Sequence, residues 1–245
     1  MIISHKYKFI FLKPAKTAST SVEIALAKHC GDEDVVTPLR EFLSVYDGEA
    51  YVHHARNYKE KGYYHHINPD KIEKMVGPDM WNTYFKFTIV RNPWDLQISW
   101  LWWKIKKVKH KKGSLSHYIH LIRQNMTEFQ YYVDYFNRIR RKITKKDYIW
   151  LHGRHIPILD NTRYYFDRNG NPICDFYIRY ENLQEDCRQV CEKLGIPYEK
   201  LPLTKDKVRD REKYYSQYYD EETKRIIEKY FKKEIEYFGY KFEIA

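Results

Sequence analysis

The sequence predicts a single α/β domain, residues 1–245, built on a central, mainly parallel sheet flanked by helices. Three observations predict it. Apolar strand-like runs alternate with helical patterns along the chain, which favours parallel pairing through helical crossovers. Two of these runs, Phe9–Leu12 and Phe87–Val90, each break into a polar turn carrying positive charge and pass directly into a helical pattern. The length of 245 residues suffices for one well-cored α/β domain and is short for two.

The first strand is expected over Tyr7–Leu12, followed by the turn Lys13–Ser19. A helix from Thr20 to Lys28 then offers Val22, Ile24, Ala25 and Leu26 for burial, with Gly31 marking its end. From Asp32 to Pro78 the pattern weakens to a helix and loops covering the site, with His53-His54 and His65-His66 flanking a polar stretch. Tyr84–Val90 is a short apolar strand ended by Arg91-Asn92-Pro93, and Pro93 suits the first turn of a helix. That helix carries Trp94, Ile98, Leu101 and Trp102 at helical spacing before a basic run, Lys104–Lys112. Asp175–Tyr180 reads as a strand leading into a Leu183–Leu194 helix. Asp220 is placed to cap a last helix bearing Ile226, Ile227, Tyr230, Phe231 and Ile235.

The chain carries 44 Lys+Arg against 33 Asp+Glu, a formal net charge of +11, so an anionic partner is expected. A basic nucleic-acid-binding protein is one reading of that charge, but the chain lacks an RRM aromatic motif, a GXXG loop and a zinc pattern. The four cysteines have no zinc spacing, and Cys187 and Cys191 fall among the apolar positions of a helix, which suits buried thiols. No metal site is expected. The first eight residues lack the apolar core of a signal peptide, and no stretch approaches the ~20 apolar residues of a membrane span. These features favour a soluble, cytoplasmic protein.

Lys16-Thr17-Ala18-Ser19-Thr20-Ser21 offers a cation, hydroxyls and successive backbone donors at a helix N-terminus, which suit a 5′-phosphate or phosphosulfate. It is P-loop-like without the glycines, and Lys16 precedes the small-residue turn, so an ATP-hydrolysing loop is disfavoured. A P-loop-like small-metabolite kinase remains an alternative that would require Mg²⁺ and ATP. In the second turn Arg91 leaves a strand end and Ser99 follows eight residues on, two turns into a helix that starts at Pro93. An arginine fork and a hydroxyl so placed could share one phosphate lying alongside that helix.

Phe11–Glu23 resembles the 5′-phosphosulfate-binding loop of sulfotransferases that use 3′-phosphoadenosine 5′-phosphosulfate (PAPS), and Val90–Asp95 through Ser99 resembles their 3′-phosphate-binding motif. Asp175–Leu183 resembles the late strand-to-helix segment of the carbohydrate-type branch, and Tyr237-Phe238-Gly239-Tyr240 is similar to its C-terminal ending. The resemblance implies that a sulfuryl group passes from PAPS to a hydroxyl of a carbohydrate by in-line displacement, leaving 3′-phosphoadenosine 5′-phosphate (PAP), without a metal. It implies that Lys16 contacts the bridging oxygen, that Thr17, Ser19, Thr20 and Ser21 line the 5′-phosphate, and that Arg91 and Ser99 hold the 3′-phosphate. Arg209 and Arg211 fall where the family brings a basic loop over the cofactor; a solvated loop is the competing reading. A histidine is expected as general base, His54 ahead of its neighbour His53, with His65 and His66 as alternatives and a carboxylate or no dedicated base as the remaining readings. The basic run Lys104–Lys112 is either a solvated helix end or a contact for an acidic glycan. In one respect the loop departs from the family: Ala18 and Ser19 stand where many members have glycine, so it must turn without positive φ or accept strain.

Overall fold

The computed structural model describes residues 1–39, 45–46, 49–50, 55–109, 148–150, 155–201 and 214–244. In chain order the strands are β1 (Ile2–Ser4), β2 (Phe9–Phe11), β3 (Val35–Val36), β4 (Val45–Tyr46), β5 (Glu49–Ala50), β6 (Phe85–Val90), β7 (Tyr148–Trp150), β8 (His155–Pro157) and β9 (Phe176–Arg179). The α-helices are α1 (Ser19–Ala27), α2 (Pro69–Thr83), α3 (Pro93–Lys109), α4 (Leu183–Leu194), α5 (Glu221–Tyr230) and α6 (Lys232–Phe238). The chain forms two compact units, one from Met1–Arg91 with Asp160–Lys205, the other from Asn92–Leu159 with Asp206–Ala245.

The first unit holds the central sheet, in the order β3-β1-β2-β6-β9. Strands β2, β6 and β9 are mutually parallel, while β1 runs antiparallel to both β2 and β3. The α/β sheet is therefore mixed and mostly parallel. Ile2–Ser4, not expected as a strand, turns tightly back into β2, and all three of its residues are buried. Phe11 stacks on Phe87 across the β2–β6 pair, with ring centres 5.2 Å apart. Val22 and Leu26 of α1, Ile178 of β9 and Cys187, Val190 and Cys191 of α4 complete that core, so both helical thiols are buried.

One helix end differs from expectation. Gly31 does not cap α1; the helix stops at Ala27, and the Arg56 guanidinium donates to the carbonyls of Ala27, Cys30 and Gly31 beyond it. Helix α2 starts at Pro69 under an Asn68 cap and runs past Pro78, because Gly77 takes φ 80° and lets a second helical run begin there.

In the second unit, Asn92 Oδ1 accepts from the Trp94 amide at 3.1 Å and Pro93 opens α3. Trp94, Ile98 and Leu101 pack with Tyr215, Tyr218, Ile227 and Phe231. Trp102 meets Tyr218 edge-on and Trp100 stacks on Trp103 at 4.9 Å, so these indoles are engaged with other rings. Asp220 caps α5, accepting from the Thr223 amide at 2.8 Å, and the expected last helix breaks at Phe231 into α5 and α6. Among the described residues no helix is long and apolar enough to cross a membrane.

Candidate active site

The parallel register Phe11↔Phe87 is extended by the Leu12 amide donating to Phe87 O at 3.0 Å and by Thr88 Oγ1 donating to Leu12 O at 3.0 Å. The Lys13 loop and Arg91 therefore leave the sheet at the same carboxyl-end edge, where open α/β sheets bind ligands. The loop turns without glycine. Lys16 takes φ 63° and Ala18 φ 60°, so the chain accepts two left-handed residues. Ser19 Oγ donates to Pro14 O at 2.7 Å across the turn, and Ala18 stands at the N-cap of α1 with no side chain able to cap it.

What remains suits an anion. The amides of Thr17, Ala18, Ser19 and Thr20 have no acceptor among the described residues. Thr17 Oγ1 is fully buried and has no hydrogen-bond partner among the described residues. A buried hydroxyl left unpaired costs about 1–3 kcal/mol, and a phosphate oxygen would satisfy it. Ser19, Thr20 and Ser21 form the first turn of α1, all buried, where the helix dipole favours negative charge.

The loop contains two lysines with different tasks. Lys13 is buried and paired with Glu23, whose carboxylate also accepts from Thr37 Oγ1 at 3.0 Å. Burial alone would raise the Glu23 carboxyl, but the Lys13 ammonium and the Met1 amine outweigh it and hold the group below the usual carboxylate range. Lys16 is only half-buried. Arg91 Nη1 donates to the Lys16 carbonyl at 2.8 Å, and its guanidinium carbon lies 3.8 Å from the centre of the Tyr180 ring. The register Val90↔Arg179 accounts for that stack, since Arg91 and Tyr180 are the next residues on neighbouring parallel strands.

His66 Nδ1 lies 2.8 Å from the carbonyl oxygen of Lys13. A carbonyl can only accept, so Nδ1 carries the proton and Nε2 keeps its lone pair. Burial, and after it the Lys13 ammonium, push the His66 imidazole down to about 3. The ring is thus neutral, with its lone pair at Nε2. The His66 backbone carbonyl accepts from Tyr164 Oη at 2.7 Å, and the His65 ring stands edge-on to His66 at 5.2 Å. Asn161 reaches the loop from another segment, accepting from the Ala15 amide at 3.2 Å and donating to the Ala15 carbonyl at 2.8 Å.

The first unit therefore gathers Lys16–Ser21, Arg91, His65 and His66. Ser99 lies in α3, in the second unit, and His53, His54, Arg209 and Arg211 lie outside the described residues. Sequence reasoning missed Lys13, Glu23, Asn161, Tyr164 and Tyr180 as members or supports of the site. For Tyr180 a signal existed in the strand Asp175–Tyr180 laid beside Tyr84–Val90, whereas Asn161 has none in its local pattern.

A family model described as Sulfotransferase family matches residues 1–241. A solved structure, the crystal structure of a sulfotransferase from Alicyclobacillus acidocaldarius, is 15% identical over 96% of each chain, with a TM-score of 0.36. No curated protein matches the chain in sequence.

Proposed function

The chain belongs to the sulfotransferase family, and from that premise we propose that it moves a sulfuryl group from PAPS to a hydroxyl of a carbohydrate acceptor. The observation that carries the donor half of this reading is Thr17 Oγ1, buried and unpartnered beside amides that have no acceptor among the described residues. The acceptor half rests on the likeness of Asp175–Leu183 to the carbohydrate-type branch.

Thr17, Ser19, Thr20 and Ser21, with the loop amides, would hold the 5′-phosphosulfate; Arg91 would hold the 3′-phosphate. PAPS supplies an activated sulfuryl group on a phosphate leaving group. Lys16 neutralises the charge that grows on the departing phosphate oxygen as the sulfur–oxygen bond to phosphate breaks and the bond to the acceptor oxygen forms. His66 Nε2 takes the acceptor's proton, with Nδ1–H held on the Lys13 carbonyl so that the ring keeps its tautomer. An anionic donor in the loop opposes the Lys13 ammonium and so raises the basicity of His66 when it is needed. His66 thereby takes precedence over His65 as the base, while the alternatives His53 and His54 lie outside the described residues.

Calorimetry with PAP in the absence of Mg²⁺ tests the donor half, with millimolar or tighter binding expected; no binding overturns it. Transfer of labelled sulfate from PAPS to desulfated glycosaminoglycan, with phenols as the contrasting acceptor, tests the carbohydrate half. Turnover of phenols alone would assign a different acceptor class.

A further inference from the structure

We propose that Asn161 is a positioning residue for the donor loop, its carboxamide fixing the peptide groups on both sides of Ala15 and so setting the left-handed path of Lys16 on which donor binding depends. The functional meaning of this assignment rests on the loop being the donor site.

Three consecutive carbonyls of the loop are each taken by a side chain. Pro14 O accepts from Ser19 Oγ at 2.7 Å, Ala15 O from Asn161 Nδ2 at 2.8 Å and Lys16 O from Arg91 Nη1 at 2.8 Å. With the carbonyls committed, the amides that follow, Thr17 to Thr20, are left for an anion. Asn161 alone among the three side chains also satisfies an amide, accepting from Ala15 N at 3.2 Å. Both ends of its carboxamide are thus spent on one residue, and the side chain is buried.

This fastening matters because the loop has no glycine. Lys16 at φ 63° and Ala18 at φ 60° each carry a Cβ in the left-handed region, and such conformations persist only where the surroundings determine them. Ala15 is the residue immediately before the first of them. Of the three donors, Ser19 belongs to the loop itself and Arg91 is assigned to the 3′-phosphate. Asn161 is the one supplied from outside both strand-end motifs.

The experiment compares the full-length protein with Asn161→Ala and Asn161→Asp by hydrogen exchange without nucleotide, by PAP calorimetry and by thermal melting. In Asn161→Ala, amide exchange in peptides covering residues 12–21 should rise at least about fivefold while β6 and β9 keep their protection, and PAP affinity should fall at least about tenfold. Asn161→Asp keeps an acceptor for the Ala15 amide but no donor for its carbonyl, so its loop exchange should lie between wild type and Asn161→Ala. Unchanged loop exchange overturns the assignment. So does faster exchange spread evenly over the sheet with a lowered melting point, which would mark a general structural role. Loss of loop protection with PAP affinity unchanged overturns the link to donor binding. Should wild type bind no PAP, the donor reading fails while the exchange arm still decides whether Asn161 holds the loop.

Discussion

Arg91 Nη1 donates to the carbonyl oxygen of Lys16 at 2.8 Å, joining by one hydrogen bond two strand-end motifs that lie 75 residues apart in sequence. The guanidinium does this with its carbon 3.8 Å from the centre of the Tyr180 ring. A lysine at position 91 cannot both reach the carbonyl and present a plane to the ring. Arg91→Lys should weaken PAP binding by about tenfold or more, and Tyr180→Leu by a smaller factor worth about 1 kcal/mol, both read by calorimetry. Equal PAP affinity in wild type and Arg91→Lys would remove Arg91 from the donor site.

Thr17 offers a test in which stability and binding move in opposite directions. Its buried hydroxyl lacks a partner among the described residues, so Thr17→Val removes a polar group unpaired there at nearly constant volume. The variant should be as stable as wild type or more stable by about 1 kcal/mol, while PAP affinity falls about tenfold. Urea melts and calorimetry on the same sample decide it. A variant that loses stability and keeps its affinity would assign the hydroxyl a structural role.

These predictions show where local sequence suffices. Strands β2, β6 and β9 and helices α1, α3 and α4 lie where apolar runs meet polar turns, because a strand that stops at a sheet edge and a helix that starts there impose opposite residue preferences on adjacent positions. The three-residue β1 is too short for such a pattern, and only its pairing with β2 and β3 defines it. At Gly77-Pro78 the helical path does break, since Gly77 leaves helical φ/ψ and a second helical run starts at Pro78. Within the candidate site, the grouping of Lys16–Ser21 with Arg91 was legible because both sit at strand ends that the local pattern already marks. Asn161 and Tyr180 act on residues far away in sequence, through a fold-wide register that no local window contains. Whether the glycine-free loop would take positive φ was likewise open from sequence, and the answer is that it does at both Lys16 and Ala18.

That answer carries its own prediction. Glycine at position 18 removes the Cβ conflict at φ 60°, so Ala18→Gly should stabilise the protein by about 0.5–1 kcal/mol after the extra freedom of the unfolded chain is counted. Ala18→Val, β-branched at the same φ, should destabilise it by at least about 1 kcal/mol. Denaturant midpoints of the two variants should fall on opposite sides of wild type. A lower midpoint for Ala18→Gly would mean that the left-handed turn is not present in solution.

His66 couples the site to pH through its neutral, buried ring. Its folded-state value is pushed down to about 3 from an ordinary 6.5, by burial first and by Lys13 second. Above pH 6.5 neither the folded nor the unfolded ring binds a proton, so this group adds no pH dependence. Between pH 6.5 and 3 the unfolded chain takes up a proton that the folded chain refuses, so stability falls as pH falls, by about 1.4 kcal/mol per unit from this ring. Glu23 is held below its ordinary value and stays ionised in the upper part of that window, so it does not mask the effect near pH 5. Wild type should therefore lose about 2 kcal/mol between pH 7 and pH 5 that His66→Gln does not lose, measured by urea denaturation at the two pH values. PAP bound in the loop should reduce that loss, because its phosphates offset the Lys13 ammonium and let the folded ring hold a proton at higher pH. An identical pH dependence in wild type and His66→Gln would mean that the ring is solvated and titrates normally, and would withdraw His66 from its place beside the donor loop.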